Sequence, residues 1–256
     1  ELWGENILLL QNGETVAVVG AREAKPAFKF RKRLKGVVSE IKDGVAKVQI
    51  VRWADLHRHS GYSLLDGASH IRDLVDKTEY AGAITDHGVM FGVLDYYKKM
   101  KEAGKKPIIG FEAYIETLDG KKEGHHVLLL AKDMTGFKNL MKLTSLAYEN
   151  FYRKPHVTYD MLREHAAGII ATSACIGNEV PQRLLAGDYE GAKKVAQAMI
   201  DIFGRDNYYI EIQRHGFAEE ARVNPLLIQL ARELGLKIVA GIDSHYTNKE
   251  DAKNHE

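Results

Sequence analysis

The sequence predicts an α/β fold in which about seven strands alternate with helices and form a distorted (β/α)7 barrel. From residue 51 onward, short apolar runs of strand length recur along the chain. Between them lie segments whose apolar residues are three or four positions apart, as on one face of a helix. This repetition predicts a largely parallel sheet with helices outside it. About seven strands in roughly 200 residues is closer to a barrel than to an open sheet.

The elements follow in order from these two periodicities. Helical faces include Val195, Met199 and Ile202 in one segment, and Leu227 and Leu234 in a later one. The predicted strands are 51–56, 83–85, 107–113, 127–131, 168–172, 208–213 and 237–242.

The first 50 residues differ from the rest and predict a small β-rich module at 1–51, before an α/β domain at 52–256. Its predicted strands are 7–10, 15–19, 36–41 and 45–51, with turn signals at Asn12-Gly13 and Asp43-Gly44. Cations alternate with two aromatic rings between its halves, at Lys25, Phe28, Lys29, Phe30, Arg31, Lys32, Arg33 and Lys35. This pattern is typical of a groove for single-stranded nucleic acid, but a solvated basic sheet edge that prevents aggregation explains it slightly better.

Composition excludes several classes of protein. The 36 basic and 35 acidic residues are nearly balanced, so any attraction to nucleic acid is expected to be local. A single cysteine excludes an internal disulfide, and no apolar run reaches the roughly 20 residues that span a bilayer. A soluble protein of a reducing compartment is therefore expected. Without an initiating Met or a signal peptide, the numbering is compatible with a start inside a longer or processed polypeptide.

Residue types that bind metals recur at the ends of the apolar runs. In parallel α/β folds the carboxyl ends of the strands gather at one mouth, so residues distant in sequence are expected to meet there. His126 is the exception, because it precedes its run. The nine candidates are His57, His59, Asp66, His87, Glu112, His126, Cys175, Asp243 and His245.

Each candidate alone has an ordinary structural interpretation. Asp66 and the Asp86-His87-Gly88 sequence also fit turns, and Cys175 fits a small buried side chain. Glu112 is harder to explain, because a carboxylate inside an apolar strand needs a partner. The mixture of imidazole, carboxylate and thiolate suits zinc, manganese or iron, and nine ligands exceed what one ion uses. We therefore expect a cluster of two or three divalent ions.

Six stretches of the chain, covering about four-fifths of it in collinear order, resemble a known family. The resemblance is to the polymerase and histidinol phosphatase (PHP) domain, in the form found at the amino end of the alpha subunit of bacterial DNA polymerase III. The stretches are DLHRHSGYSLLDGA, AITDHGVMFG, KPIIGFEAYIE, HHVLLLAKDMTGFKNLMKL, IIATSACIGNEVPQRLLAGDYEGA and LKIVAGIDSHYTNKEDAKNHE.

The resemblance implies a PHP-type barrel with nine metal ligands, at the same nine positions given above. Some polymerases of the family have lost ligands and keep the domain as a scaffold, so an intact set implies an active centre. Two positions depart from the family: Arg214 stands where an acidic residue is common, and Asp55 where His is common. Arg214 in a loop at the mouth is expected to reach a phosphate.

The activity implied is phosphoester hydrolysis at the 3′ end of a DNA strand, as a 3′-to-5′ proofreading exonuclease. Clustered metals lower the pKa of a bound water toward ~7, hold the phosphate and neutralise the leaving oxygen. His215 and Arg214 are candidates for contacting the phosphate or protonating the leaving group, although both also fit a surface loop. DNA, the rest of the polymerase and replisome subunits are the implied partners, in the bacterial cytoplasm at the nucleoid, with no membrane.

Two other functions remain open at this point. The superfamily also contains free-standing phosphatases of small phosphomonoesters, and the domain could be a non-catalytic scaffold with structural metals. Nucleotidyltransferase activity belongs to the parent polymerase and is not predicted for these 256 residues, because no palm-type set of carboxylates is left once the nine ligands are assigned.

Overall fold

The computed structural model describes residues 54–64 and 66–254, and the backbone of four strands nearer the amino end. The chain divides into two compact units, Glu1–Trp53 and Ala54–Glu256. In the first unit, strand β1 (Leu8–Gln11) pairs antiparallel with β2 (Glu14–Ala17), and β3 (Gly36–Lys42) pairs antiparallel with β4 (Val45–Ile50). The basic segment 25–35 lies outside the described residues.

The second unit alternates strands and helices, as the periodicity predicts. Its strands are β5 (Ala54–Asp55), β6 (Ala81–Ile84), β7 (Lys106–Ile115), β8 (His125–Ala131), β9 (Phe151–Tyr152), β10 (Lys154–Val157), β11 (Ile169–Thr172), β12 (Tyr208–Ile212) and β13 (Lys237–Ala240). Its helices are α1 (Ile71–Lys77), α2 (Val93–Glu102), α3 (Met134–Glu149), α4 (Tyr159–His165), α5 (Glu179–Leu185), α6 (Tyr189–Phe203) and α7 (Ala218–Leu234), and a 3-10 helix spans Lys249–Asn254.

Seven of these strands form one curled sheet in the order β5, β6, β7, β8, β11, β12, β13. An isolated parallel bridge between Arg58 and Ser244 joins the segments that follow the first and the last strand. The predicted distorted seven-stranded barrel is confirmed. Strands β9 and β10 form a hairpin beside β7. The apolar pattern does not predict these two strands, because they are only two and four residues long.

Strand β8 runs antiparallel to both of its neighbours, β7 and β11, whereas the other pairs in the seven-stranded sheet are parallel. In the register, His126 lies opposite Tyr114 near the carboxyl end of β7. The reversal therefore brings the first residues of β8 to the end of the barrel where its neighbours finish. This explains why His126 precedes its apolar run while the other candidates follow theirs.

The core lies between the sheet and the surrounding helices. Leu129 of β8 and Phe111 of β7 are fully buried, and Leu140 of α3 and Leu230 of α7 pack into the same cluster. Each such side chain contributes about 1.5–3 kcal/mol relative to an exposed one. A second cluster, which includes Leu74 of α1, packs α1 and α2 beside the first strands. Among residues 54–64 and 66–254, no helix is long and apolar enough to cross a membrane.

Candidate metal centre

The segment after β5 directs alternate side chains to opposite sides. His57 and His59 are fully buried on one side. The guanidinium of Arg58, between them, points away and donates to the Ala83 carbonyl (3.0 Å) and to the Thr78 hydroxyl (2.9 Å). Arg58 thus ties the segment to β6 and α1, and both imidazoles are left facing the interior of the barrel mouth.

Glu112 of β7 lies at the centre of the cluster, and its buried carboxylate is surrounded by four imidazoles. Oε1 is 3.4 Å from Nε2 of His57 and 3.1 Å from Nδ1 of His126. Oε2 is 3.3 Å from Nε2 of His59 and 2.9 Å from Nδ1 of His87. The Glu112 carboxylate, which lies inside an apolar strand, therefore has imidazole partners, as expected for a buried charge.

Asp243 and Asp66 extend the cluster on the side of the last strand. Oδ1 of Asp243 is 3.2 Å from Nε2 of His57 and 3.1 Å from Nε2 of His59. Oδ2 of Asp66 is 3.2 Å from Nε2 of His87 and 3.8 Å from Nε2 of His245. The ring of His245 stacks on that of His59, with centroids 4.2 Å apart.

Cys175 completes the set on the side of β11. Its Sγ lies 3.4 Å from Nδ1 of His126 and 3.7 Å from Oε1 of Glu112. All nine candidates from the sequence are thus brought into one connected cluster. Three groups within it have donor atoms within 4.8 Å of one another: His57, His59, Glu112 and Asp243; His87, Glu112 and His126; and His59, His87 and His245.

Two turns at this mouth have left-handed backbone at residues other than glycine. Ala174, immediately before Cys175, has φ of 47°, and Asp243 has φ of 51°. Each costs on the order of 1–3 kcal/mol, and such conformations persist where the surrounding structure enforces them, often at functional sites. Here they turn the thiol of Cys175 and the carboxylate of Asp243 toward the cluster.

Carboxylates within the cluster raise the pKa of the imidazoles of His57, His59 and His87, whereas burial and the neighbouring His59 lower the pKa of His245 to about 4. Burial lowers the pKa of His57, but the carboxylates of Asp243, Glu211 and Glu112 outweigh burial and raise this pKa well above its usual range. Burial raises the pKa of Glu112, but His126, His57 and His87 outweigh it and hold this pKa well below its usual range. The cluster therefore favours bound positive charge, whether carried by protons or by metal ions.

Nε2 of His57, Nδ1 of His87 and Oε2 of Glu112 are buried and form no hydrogen bond of good geometry within the described part of the chain, although Nδ1 of His87 lies 2.9 Å from that oxygen. Buried polar atoms almost always have such a partner, and a cation held between these lone pairs would provide it. Imidazoles, carboxylates and one thiol are a donor set that fits zinc, manganese or iron. The residues present therefore fit a site for divalent metal ions.

Glu211 of β12 supports the cluster and is absent from the sequence-based site. Its Oε1 accepts a hydrogen bond from Nδ1 of His57 at 2.8 Å, and its Oε2 accepts one from the Thr172 hydroxyl at 2.5 Å. The signal was present in the sequence, since Glu211, like Glu112, is a carboxylate inside an apolar strand.

Asp86 and Ser63 orient His59 in a similar way. The Ser63 hydroxyl donates to Oδ1 of Asp86 at 2.8 Å, so at 2.9 Å it accepts from Nδ1 of His59. This contact fixes the ring so that Nε2 of His59 faces Asp243 and Glu112, where it could bind a metal ion. Asp86 also accepts from the backbone N–H of Ser60 at 2.6 Å, so it binds the loop that carries His59.

His215 and Arg214 follow β12 and lie outside the cluster. Nδ1 of His215 donates to Glu220 at 2.6 Å, and Nε2 lies 2.5 Å from the carbonyl oxygen of Ile242, next to Asp243. Burial lowers the pKa of His215, but the Ile242 carbonyl and Glu220 outweigh it and raise this pKa. Both ring nitrogens of His215 therefore face acceptor oxygens beside the cluster, and the Arg214 side chain is exposed.

Asp55, which stands where His is common in the family, has a structural role. Its Oδ1 accepts from the backbone N–H of His57 at 3.3 Å, and the hydroxyl of Ser244 lies 3.5 Å from Oδ2. Burial raises the pKa of Asp55 to about 6, against the lowering effect of Arg58. Asp55 therefore contacts the His57 backbone and the Ser244 side chain, one on each side of the barrel closure, rather than the donor atoms of the cluster.

Comparison with known proteins agrees with this geometry. Residues 55–215 match the model of the PHP domain family. The chain is 45% identical over 214 residues to the DNA polymerase III subunit alpha of Borreliella burgdorferi, which covers 78% of this chain and 19% of the relative. It is 46% identical over 222 residues to the DNA polymerase III subunit alpha of Thermus aquaticus. This match covers 80% of this chain and 18% of that relative. The chain thus spans less than a fifth of the length of these relatives.

A solved structure supports the fold alone. A protein from Bifidobacterium adolescentis, provisionally named a metal-dependent phosphoesterase, superposes with a TM-score of 0.51 at 16% identity, covering 75% of this chain and 87% of its own. The resemblance given by the six sequence stretches is confirmed by the family match and by the polymerase relatives. The chain belongs to the PHP domain family.

Proposed function

We propose that residues 52–256 are a metal-dependent phosphoesterase that removes nucleotides from the 3′ end of DNA, as one part of a DNA polymerase III alpha subunit. The observation that carries this proposal is the convergence of nine donor side chains around the buried carboxylate of Glu112. Structural metal sites are saturated by about four ligands, so nine donors favour a multinuclear centre that performs hydrolysis.

Within this proposal, the three donor groups of the cluster would hold two or three ions of zinc, manganese or iron. His59, His87 and Glu112 each belong to two of these groups, so the groups adjoin one another. Bound ions would supply Lewis acidity, which favours a nucleophilic water and stabilises charge on the phosphate and on the leaving oxygen.

The protein's own residues then have two kinds of task. Glu211 and the Asp86–Ser63 pair hold the rings of His57 and His59 in the tautomer that presents Nε2 to the centre. His215, held by Glu220 next to Asp243, and the exposed Arg214 are candidates for contacting the phosphate, and His215 also for protonating the leaving oxygen.

DNA is proposed as the substrate because the relatives at 39–46% identity are named DNA polymerase III subunit alpha. The remainder of that polymerase and the replisome are then the partners, and the bacterial cytoplasm, at the nucleoid, is the location. The basic segment with Lys29, Arg31, Lys32 and Arg33 is a second proposed contact to nucleic acid. As a domain boundary we propose 51/52, with 1–51 as an appended module.

Two alternatives make different predictions. A free-standing phosphatase would act on a small phosphomonoester, and a scaffold would bind metal without turnover. The test combines elemental analysis of the purified chain with hydrolysis assays on a 3′-ended oligonucleotide and on a small phosphomonoester. We expect two or three bound ions and release of mononucleotides from the oligonucleotide. Turnover of the monoester alone would favour the phosphatase, and no turnover of either substrate would favour the scaffold.

A further inference from the structure

Beside the metal centre, strands β9 and β10 form a hairpin of five residues, 151–155, with an unusual surface. Arg153 occupies the turn with a left-handed φ of 58°. The rings of Phe151 and Tyr152 are 56% and 52% exposed. The guanidinium of Arg153 lies over the Tyr152 ring, 5.4 Å from its centroid. The hairpin therefore presents two half-exposed aromatic rings to solvent, and a cation lies over one face of the Tyr152 ring.

This hairpin is joined to the metal centre by direct packing. Nζ of Lys154 lies 4.2 Å from the centroid of the Tyr114 ring, and that ring stacks on His87 at 5.6 Å with planes 15° apart. Pro155 packs on Gly88, where a Cβ would lie 2.9 Å from Cγ of the proline. One aromatic ring thus separates Lys154 from a candidate metal ligand.

The charge of the hairpin is not neutralised locally. Within residues 54–64 and 66–254, no carboxylate oxygen lies within 4.0 Å of the cationic groups of Arg153 or Lys154, whereas Lys193 and Arg183 elsewhere on the surface have such partners. Two cations next to solvent-facing rings match the repeating phosphates and bases of a single nucleic acid strand, in which phosphates bind cations and bases stack on aromatic side chains.

We propose that the 151–155 hairpin is a binding platform for single-stranded nucleic acid, which stacks bases on Tyr152 and Phe151 and binds phosphates through Arg153 and Lys154. Its position beside Tyr114 and His87 directs the end of the strand to the metal centre. The inference rests on the proposed function in that it names how the polymeric substrate is held.

The test measures binding of a labelled oligothymidylate by fluorescence anisotropy, with chelator present so that no hydrolysis occurs. Arg153→Ala/Lys154→Ala is expected to weaken binding about tenfold and to make the salt dependence shallower by about 1.4 in log–log slope. Tyr152→Ala is expected to weaken binding about tenfold, and Tyr152→Phe, which keeps the stacking face, to restore it. With metal present, the double variant should raise KM for the oligonucleotide.

The matched control is Lys132→Ala/Arg205→Ala, which removes the same charge from exposed residues at the opposite end of the barrel, after β8 and before β12. It should bind like the wild type. Equal affinity and salt slope in the hairpin variant and this control, equal affinity of Tyr152→Ala and Tyr152→Phe, or no binding by the wild type would overturn the proposal.

Turnover of a small aryl phosphodiester by the wild-type chain tests the proposed function separately. Strand binding that depends on the hairpin, without hydrolysis of either substrate, would support the platform and contradict the nuclease.

Discussion

Nδ1 of His57 lies 2.8 Å from Oε1 of Glu211, although the two residues are 154 positions apart in the sequence. Oε1 of Glu211 also accepts from the Gln213 amide at 2.8 Å, and Oε2 accepts from Thr172. Nδ1 of His57 therefore donates to Glu211, and Nε2, which faces Glu112 and Asp243, is the ring nitrogen left to bind a metal ion. Glu211 therefore controls which nitrogen of His57 is available to a metal.

We expect Glu211→Gln to lower metal affinity by about 10–100-fold, because the substitution removes the charge that holds the tautomer and orientation of His57. Competition with a metal-sensitive dye measures the change. Asp201→Asn, an exposed substitution on α6, is the matched control and should leave affinity unchanged. Equal affinity in the two variants would mean that Glu211 has no orienting role.

His59→Ala and Asp243→Ala should each lower metal content and nearly abolish hydrolysis, because alanine leaves an open coordination position. His59 contacts both Glu112 and Asp243 within 3.3 Å, so its loss affects more than one ion. Elemental analysis and the oligonucleotide assay measure the two effects. Persistence of full activity in either variant would show that the site assignment is wrong.

Removal of metal should destabilise the 54–256 unit, since it leaves donor groups buried against one another. Binding at about 1,000 times the dissociation constant contributes ~4 kcal/mol, which corresponds to a fall in Tm of roughly 10 °C on chelation. Thermal unfolding with and without chelator, followed by readdition of zinc or manganese, measures this. The same treatment of Asp243→Ala should produce a much smaller shift, and an equal shift would locate the bound metal elsewhere.

His215→Ala and Arg214→Ala should lower turnover of the oligonucleotide while leaving metal content unchanged, because both residues lie outside the donor cluster. His215 is held by Glu220 and the Ile242 carbonyl, so we expect its loss to reduce kcat more than the loss of the exposed Arg214 does. A tenfold effect corresponds to about 1.4 kcal/mol of transition-state stabilisation. Steady-state kinetics on metal-loaded protein measure kcat and KM for each variant. Unchanged kcat and KM in both variants would mean that these residues belong to a surface loop without a catalytic role.

Alanine at Lys29, Arg31 and Arg33 should weaken DNA binding and make its salt dependence shallower, since fewer phosphates are neutralised. Metal content should not change. Anisotropy titrations at several salt concentrations measure both quantities. Affinity equal to that of the wild type would instead support the interpretation of this segment as a solvated edge.

The sequence by itself determined the α/β class and the approximate positions of the seven barrel strands, because a half-buried strand and an amphipathic helix have different apolar periods. It also indicated the nine donors, since metal-binding residue types stand at the ends of strands and match one family's motifs. Glu112 was the clearest case, as a carboxylate inside an apolar run.

Only the tertiary structure decided the direction of β8, because an apolar run has the same pattern whichever way its strand points. That direction places His126 beside Glu112 at the mouth. The supporting contacts of Glu211 to His57 and of Ser63 to His59 likewise depend on distances between groups, which residue spacing does not encode. Chain pairing across the sheet, and not local periodicity, therefore sets the geometry on which the chemistry depends.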